Sequence, residues 1–281
     1  MAFSKLLITL LLVSAFTHSH ASMVWQPLPK QSAPQGGHAG HSNNQPAPQG
    51  QAPRRGGKPF QLLEGEGAQT ALWAPNLAQS AIALEEGKAR ISSRGVGNYH
   101  ALVAVRQQGN TIEAALRYVY MNGKPSGESP STLTHAHKLD LEIVPEPLPR
   151  EHWRYQSQNE ARFVIHWRDA PLPNHEVQLT TANGSQLSAH SDAQGKVTFT
   201  LPDDFASINP GRRNNKPAEF VLTTNHQQGE SHYQTTLSAA YHVNPSHWQS
   251  NQLALLMVAG GFIGGLGLVR LIPRTSKGKK A

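Results

Sequence analysis

From Phe60 onward the chain runs in short apolar or alternating stretches separated by turn residues. Ala81 to Glu85, Tyr99 to Val105 and Leu139 to Val144 have the length and composition of strands. Ala161, Phe163, Ile165 and Trp167 alternate with Arg162, Val164 and His166, the period-2 pattern of a half-buried strand. Glu176 to Thr181, Lys196 to Leu201, Glu219 to Thr224 and Ser231 to Val243 add four more strands. Asn183-Gly184 predicts a hairpin turn, and Asp192-Ala-Gln-Gly195 a second. Ile112 to Met121 is ambiguous, because Glu, Ala, Leu and Arg also favour a helix. Tyr118-Val-Tyr120 directly before Asn122-Gly123 tips it to strand. The sum is an all-β protein of two sandwich units, 59–145 and 146–243, with the Pro-rich joint Pro145 to Pro149 between them.

Two apolar segments frame this body. Leu6 to Phe16 follows Lys5 and ends near Ser19-His20-Ala21, which predicts a secretory signal peptide over 1–21. Leu253 to Ile272 has Arg270 as its one charge and is long enough to cross a ~30 Å hydrocarbon core as a helix. Basic residues crowd the tail, 273–281, and hold that end in the cytoplasm. The predicted topology is a single pass in the inner membrane, with the body in the periplasm. Gly260/Gly264 and Gly261/Gly265 are two overlapping G-x-x-x-G spacings, which predict a face for close packing against another transmembrane helix. Residues 22–58, rich in Gln, Pro, Gly and Ser, read as a disordered, low-complexity arm.

This topology changes the meaning of the composition. The chain has 25 Lys+Arg against 18 Asp+Glu, a net charge of +7. Lys5 and five basic residues of the last dozen lie outside the body, which leaves 19 basic residues against 18 acidic ones. The exported body is near neutral, and nucleic acid is removed as a partner. With no Cys, disulfides, thiol nucleophiles and Cys-ligated metals are excluded. No G-x-S-x-G, H-E-x-x-H, P-loop or G-x-G-x-x-G is present, so no enzyme activity is expected.

Histidine is the remaining candidate chemistry. Neutral imidazole suits nickel, cobalt, copper and zinc, and without Cys any site must use N and O ligands. His135-Ala-His137 on an extended chain would place both rings on one face, with Asp140 or Glu142 as a nearby carboxylate. His38 and His41 could converge within the arm.

Three strings carry a resemblance. Leu139-Asp-Leu-Glu-Ile-Val-Pro145 is followed by Pro171-Leu-Pro-Asn-His-Glu-Val-Gln-Leu179 and by Ser191-Asp-Ala-Gln-Gly-Lys-Val-Thr-Phe-Thr-Leu201. Over roughly 95–243 this order resembles a family of exported proteins described as periplasmic components of nickel/cobalt uptake systems. The second half resembles the transthyretin-like or carboxypeptidase-regulatory-like Ig fold. The resemblance implies delivery of a divalent transition metal to the membrane subunits of a transporter. The chain departs from the family at Ser22-Met-Val-Trp25 and Arg150-Glu-His-Trp-Arg-Tyr155, so a metal site on the mature N-terminus is not carried over. An Ig-like envelope interaction module with no metal role is the alternative.

Overall fold

A computed structural model describes residues 22–29, 57–149 and 154–249, together with Leu255, Met257, Val258, Gly261 and Phe262. The signal peptide, most of the arm with His38 and His41, Gly260, Gly264, Gly265 and the basic tail lie outside the described residues. In chain order the strands are β1 (Val24–Pro27), β2 (Lys58–Leu63), β3 (Gln69–Trp73), β4 (Gln79–Ala81), β5 (Lys88–Ile91), β6 (Val96–Gln108), β7 (Thr111–Met121) and β8 (Lys124–Pro125). A short α-helix, α1 (Pro130–His135), separates these from β9 (Leu141–Pro145) and β10 (Glu160–Trp167). The chain continues through β11 (Ala170–Pro171), β12 (Glu176–Thr181), β13 (Gln186–His190), β14 (Lys196–Thr200), β15 (Ala218–Gln228) and β16 (Ser231–Tyr241). The fold is all-β, as the pattern of positions predicts.

The expected pair of units shares one sheet. Its order is β13-β12-β15-β16-β7-β6-β3-β4, with β8 on β6. The halves join where β16 runs parallel to β7, from His232 opposite Thr111 to Leu237 opposite Leu116. The small sheet β1-β2-β5 covers one face, and β9, β10, β11 and β14 form a sheet over the other. Three layers therefore enclose two cores. Trp25, Phe60, Leu62, Ile91, Leu102 and Ala115 meet in the first. Ala101, Leu116, Ile143, Phe163, Leu179, Phe220 and Leu237 meet in the second.

Strands β6 and β7 lie in the middle layer, so both of their faces must be apolar. Ala114 and Leu116 face one core and Ala115 the other. This double burial removes the alternation from Ile112 to Met121. By contrast β10 has one buried face: Ala161, Phe163 and Ile165 are wholly inside while Arg162 is exposed. β12 and β14 repeat the pattern with Val177/Leu179 and Val197/Phe199. The turn into β14 is fixed by Asp192, whose Oδ1 accepts from the backbone N–H groups of Gln194 and Lys196, both at 2.8 Å. Gly195 there has φ +72°, and a Cβ would sit 2.8 Å from the Ile165 carbonyl oxygen, so glycine is required.

Three expectations are corrected. The strand expected at Ala81 to Glu85 ends at Ala81, because the chain turns back through Glu86 and Gly87, both at positive φ. Leu141–Pro145 pairs with β10, Ile143 opposite Ile165, and so belongs to the sheet of the C-terminal half. The arm expected from residue 22 begins with an ordered strand. β1 pairs antiparallel with β2, Val24 opposite Leu63, and Met23 and Trp25 are wholly buried. Three apolar residues in a row, Met23 to Trp25, are enough to seat a strand when a covered groove awaits it.

Side chains of the central sheet hold β1 in place. Thr236 Oγ1 donates to the Met23 carbonyl at 2.6 Å, and Ser238 Oγ to the Trp25 carbonyl at 2.5 Å. Arg117 on β7 reaches across the parallel seam to Glu219 on β15, Nη1 to Oε2 2.6 Å and Nη2 to Oε1 3.2 Å. Its guanidinium lies over the Phe60 ring. A two-pronged pair of this kind fixes geometry as well as charge.

The last turn of the body is sensitive to acid. Burial lowers the pKa of His242 to about 4, helped by the nearby Arg154 and Arg212. The ordinary value is 6.5, so below that pH an unfolded chain takes up a proton that the folded chain refuses. Stability is complete above pH 6.5 and is lost as pH falls towards 4. Urea midpoints should drop over this window in the wild type, and the drop should be smaller in His242→Gln.

Candidate functional site

Two of the four predicted ligand histidines, His135 and His137, come together with His166 in a groove beside β9 and β10. Ser129 precedes Pro130, and its hydroxyl accepts from the Ser131 N–H, which starts α1 as a Ser cap and a Pro at N1 do. The helix ends at His135, with Ala136 extended as its cap. His135 is therefore helical, and the extended-chain geometry expected for His135-Ala-His137 does not hold. The Ser-Pro signal for this helix was present in the sequence.

Beyond the helix, Lys138 turns inward. Its ammonium is wholly buried and lies 2.6 Å from Glu142 Oε1. It also donates to the carbonyls of Leu133 and Ala136, at 2.9 and 2.6 Å, and so closes the C-terminal end of α1. Glu142 Oε2 accepts from the Lys138 N–H at 3.1 Å. Burial, with the Glu142 carboxylate close by, pushes the Tyr118 phenol well above its usual range. Glu142 is thus the counterion of Lys138, and its oxygens are taken.

The β9–β10 register sets His166 directly opposite Glu142. Burial lowers the pKa of His166, although Glu142 and Asp169 act to raise it, so the ring is neutral at pH 7. His137 Nδ1 lies 2.8 Å from Asp169 Oδ1, and its Nε2 lies 3.8 Å from Asp140 Oδ1. Asp140 is held by Arg168, Nε to Oδ2 3.6 Å. His135, His137, His166, Glu142 and Asp169 line one compartment of about 350 Å³. His166 and Asp169 were not singled out from the sequence. They reach the site through strand pairing and the turn after β10, which no spacing along the chain reports.

The compartment adjoins a larger one of about 450 Å³, with His135 and His166 lining both. Val144, Pro145, Pro147, Leu148, Val164 and Pro171 give the larger one an apolar lining. Lys196 and Glu146 pair at its rim, Nζ to Oε2 3.0 Å. An apolar floor with a few polar groups at one end is the usual form of a ligand groove. Among the described residues no three His, Asp or Glu side chains are gathered in an arrangement that could hold a metal ion. Imidazoles and carboxylates are present, but Asp169 and Glu142 are each engaged by a cation or a histidine.

At the C-terminus Leu255, Met257, Val258 and Phe262 are helical and between 71% and 74% exposed. A Cβ at Gly261 would meet nothing within 4 Å. Among the described residues no helix is long and apolar enough to cross a membrane, and most of 253–272 lies outside them.

No family model and no curated protein matches this sequence. Among solved structures, the D0-D1 domain of intimin is similar at 14% identity and a TM-score of 0.23, over 64% of this chain and 88% of that one. A segment of two fibronectin type-III domains from chicken tenascin gives 8% identity and a TM-score of 0.22, over 65% and 90%. The D00-D0 domain of intimin gives 10% identity and a TM-score of 0.22, over the same shares. Scores of this size carry no argument about function, and the chain stands as an all-β protein on its own geometry.

Proposed function

We propose that this chain is a non-enzymatic periplasmic protein of Ig-like β units, tethered to the inner membrane by its C-terminal helix, that holds a divalent transition metal and passes it to a membrane transporter. The observation that carries this reading is the compartment lined by His135, His137, His166, Glu142 and Asp169. No three of these side chains converge on one point as they stand, so an ion would have to draw the imidazoles of His135, His137 and His166 together; such a set suits nickel, cobalt, copper or zinc, and copper binds it most tightly. The ion would displace Asp169 from His137 on entry. The resemblance to exported nickel/cobalt uptake components points the same way. The exposed apolar side chains of Leu255, Met257, Val258 and Phe262 support the tether, since such a surface takes its cover from lipid or another helix. The membrane partner would pack on the Gly260/Gly264 and Gly261/Gly265 spacings, with the tail in the cytoplasm.

An Ig-like envelope interaction module with no metal role is the second reading. The ion pairs that already engage Glu142 and Asp169 favour it, as does the apolar lining of the adjoining groove. Calorimetric titration of the mature full-length protein in detergent with Ni²⁺, Co²⁺, Cu²⁺ and Zn²⁺ separates the two. The metal reading expects a site tighter than ~10 μM that is weakened at least about tenfold by His135→Ala/His137→Ala. Binding that the double substitution leaves unchanged removes metal from this groove.

A further inference from the structure

We propose a second metal-ligating site, built on His175 and His226 at the end of the C-terminal core, for a borderline transition-metal cation of the copper and zinc class. It uses none of the groove residues and stands or falls separately from the reading above.

The placement follows from strand register. β12 and β15 pair antiparallel with Val177 opposite Thr224. Continuing that register by two residues sets His175 opposite His226. Both Val177 and Thr224 are buried, so both histidines fall on the inward side of the sheet. Their ring centroids are 5.5 Å apart and the rings meet edge to face. Two imidazoles sharing one ion with metal–nitrogen bonds of ~2.0–2.1 Å have centroids about 5 Å apart. The rings therefore need little movement to share an ion.

The hydrogen bonds of the pair are those of ligands in waiting. His175 Nε2 lies 2.6 Å from the Asn225 carbonyl oxygen. A carbonyl only accepts, so Nε2 carries the proton and the lone pair is on Nδ1. Metal-bound histidines are commonly oriented by such a bond from the other ring nitrogen. His226 Nε2 is buried and has no hydrogen-bond partner among the described residues. Buried polar atoms are normally satisfied, and one that is not calls for a missing partner. The Trp167 ring packs on His226 at 4.4 Å and on Tyr233 at 4.7 Å, which covers one side of His226 and places an indole beside the pair. Only two protein ligands are gathered as the rings stand, in keeping with the lack of a three-ligand group among the described residues.

The test uses the mature full-length chain in detergent, titrated with Cu²⁺ and separately with Zn²⁺ by calorimetry and by tryptophan fluorescence. The wild type should show a site that His175→Gln/His226→Gln weakens about 100-fold or more. Copper quenching should lose the same fraction in that variant as in Trp167→Phe. The His135→Ala/His137→Ala variant should keep this site. If the glutamine pair does not fold, His175→Ala alone should still weaken binding, because that ring is only half buried. Unchanged stoichiometry and affinity in a folded His175→Gln/His226→Gln or His175→Ala protein overturns the proposal. Loss confined to the His135/His137 variant overturns it too and leaves the groove as the metal site.

Discussion

Replacing Glu142 by alanine is expected to destabilise the protein by about 3–5 kcal/mol. The side chains of Lys138 and Glu142 are 0% and 3% exposed, so neither charge reaches water. Removing the carboxylate leaves an ammonium in the interior whose remaining acceptors among the described residues are the carbonyls of Leu133 and Ala136. The Lys138 N–H and the Tyr118 hydroxyl also lose their acceptor. For a body of this size each kcal/mol is worth roughly 2–4 °C in Tm, so the midpoint should fall by about 10 °C. The double variant Lys138→Met/Glu142→Leu should recover most of the loss, because it removes the desolvated charge along with its partner. Urea denaturation of the wild type, Glu142→Ala and the double variant measures both steps. A loss below about 1 kcal/mol in Glu142→Ala would show that the pair is hydrated and that the groove wall it supports is open.

Glu142 also marks how far the site could be read from sequence. A carboxylate a few residues from two histidines looks like a ligand along the chain. Lys138 is just as close, and only burial decides that the lysine takes the carboxylate. His135 and His137 were visible as a pair, but the helix between Pro130 and His135 set their directions. His166 joined them because the β9–β10 register puts it opposite Glu142. His175 and His226 are 51 positions apart and meet for the same kind of reason. The strands themselves were legible where one face is wet, as in β10, β12 and β14. They blurred in β6 and β7, where the sheet is covered on both sides. A pattern of alternation reports one interface, and these strands have two.

Truncating Trp25 to alanine is expected to cost about 3–5 kcal/mol, as for other wholly buried aromatic side chains. This is the sharpest departure from the sequence reading, which placed residue 25 in a disordered arm. The composition of 22–58 is dominated by Gln, Pro and Gly, and four strand residues at one end do not change its average. Their partner β2 begins at Lys58, so the pairing is not local. What makes β1 a strand is the groove it fills. Trp25 is 0% exposed among Phe60, Leu62, Ile91, Leu102 and Ala115. The carbonyls of Met23 and Trp25 accept from Thr236, Ser238 and Arg117, which stand on either side of the parallel seam between β7 and β16. β1 therefore closes the first core and also ties the two halves of the central sheet together. Trp25→Phe separates packing from polarity. The indole N–H is buried without a hydrogen-bond partner among the described residues, so phenylalanine gives up no bond there and should cost less than about 1.5 kcal/mol. Denaturant midpoints of the two variants give the comparison. If Trp25→Ala costs under about 1 kcal/mol, the strand is not docked in solution. The arm would then run free from Ser22, and the first core would have to be covered by something else.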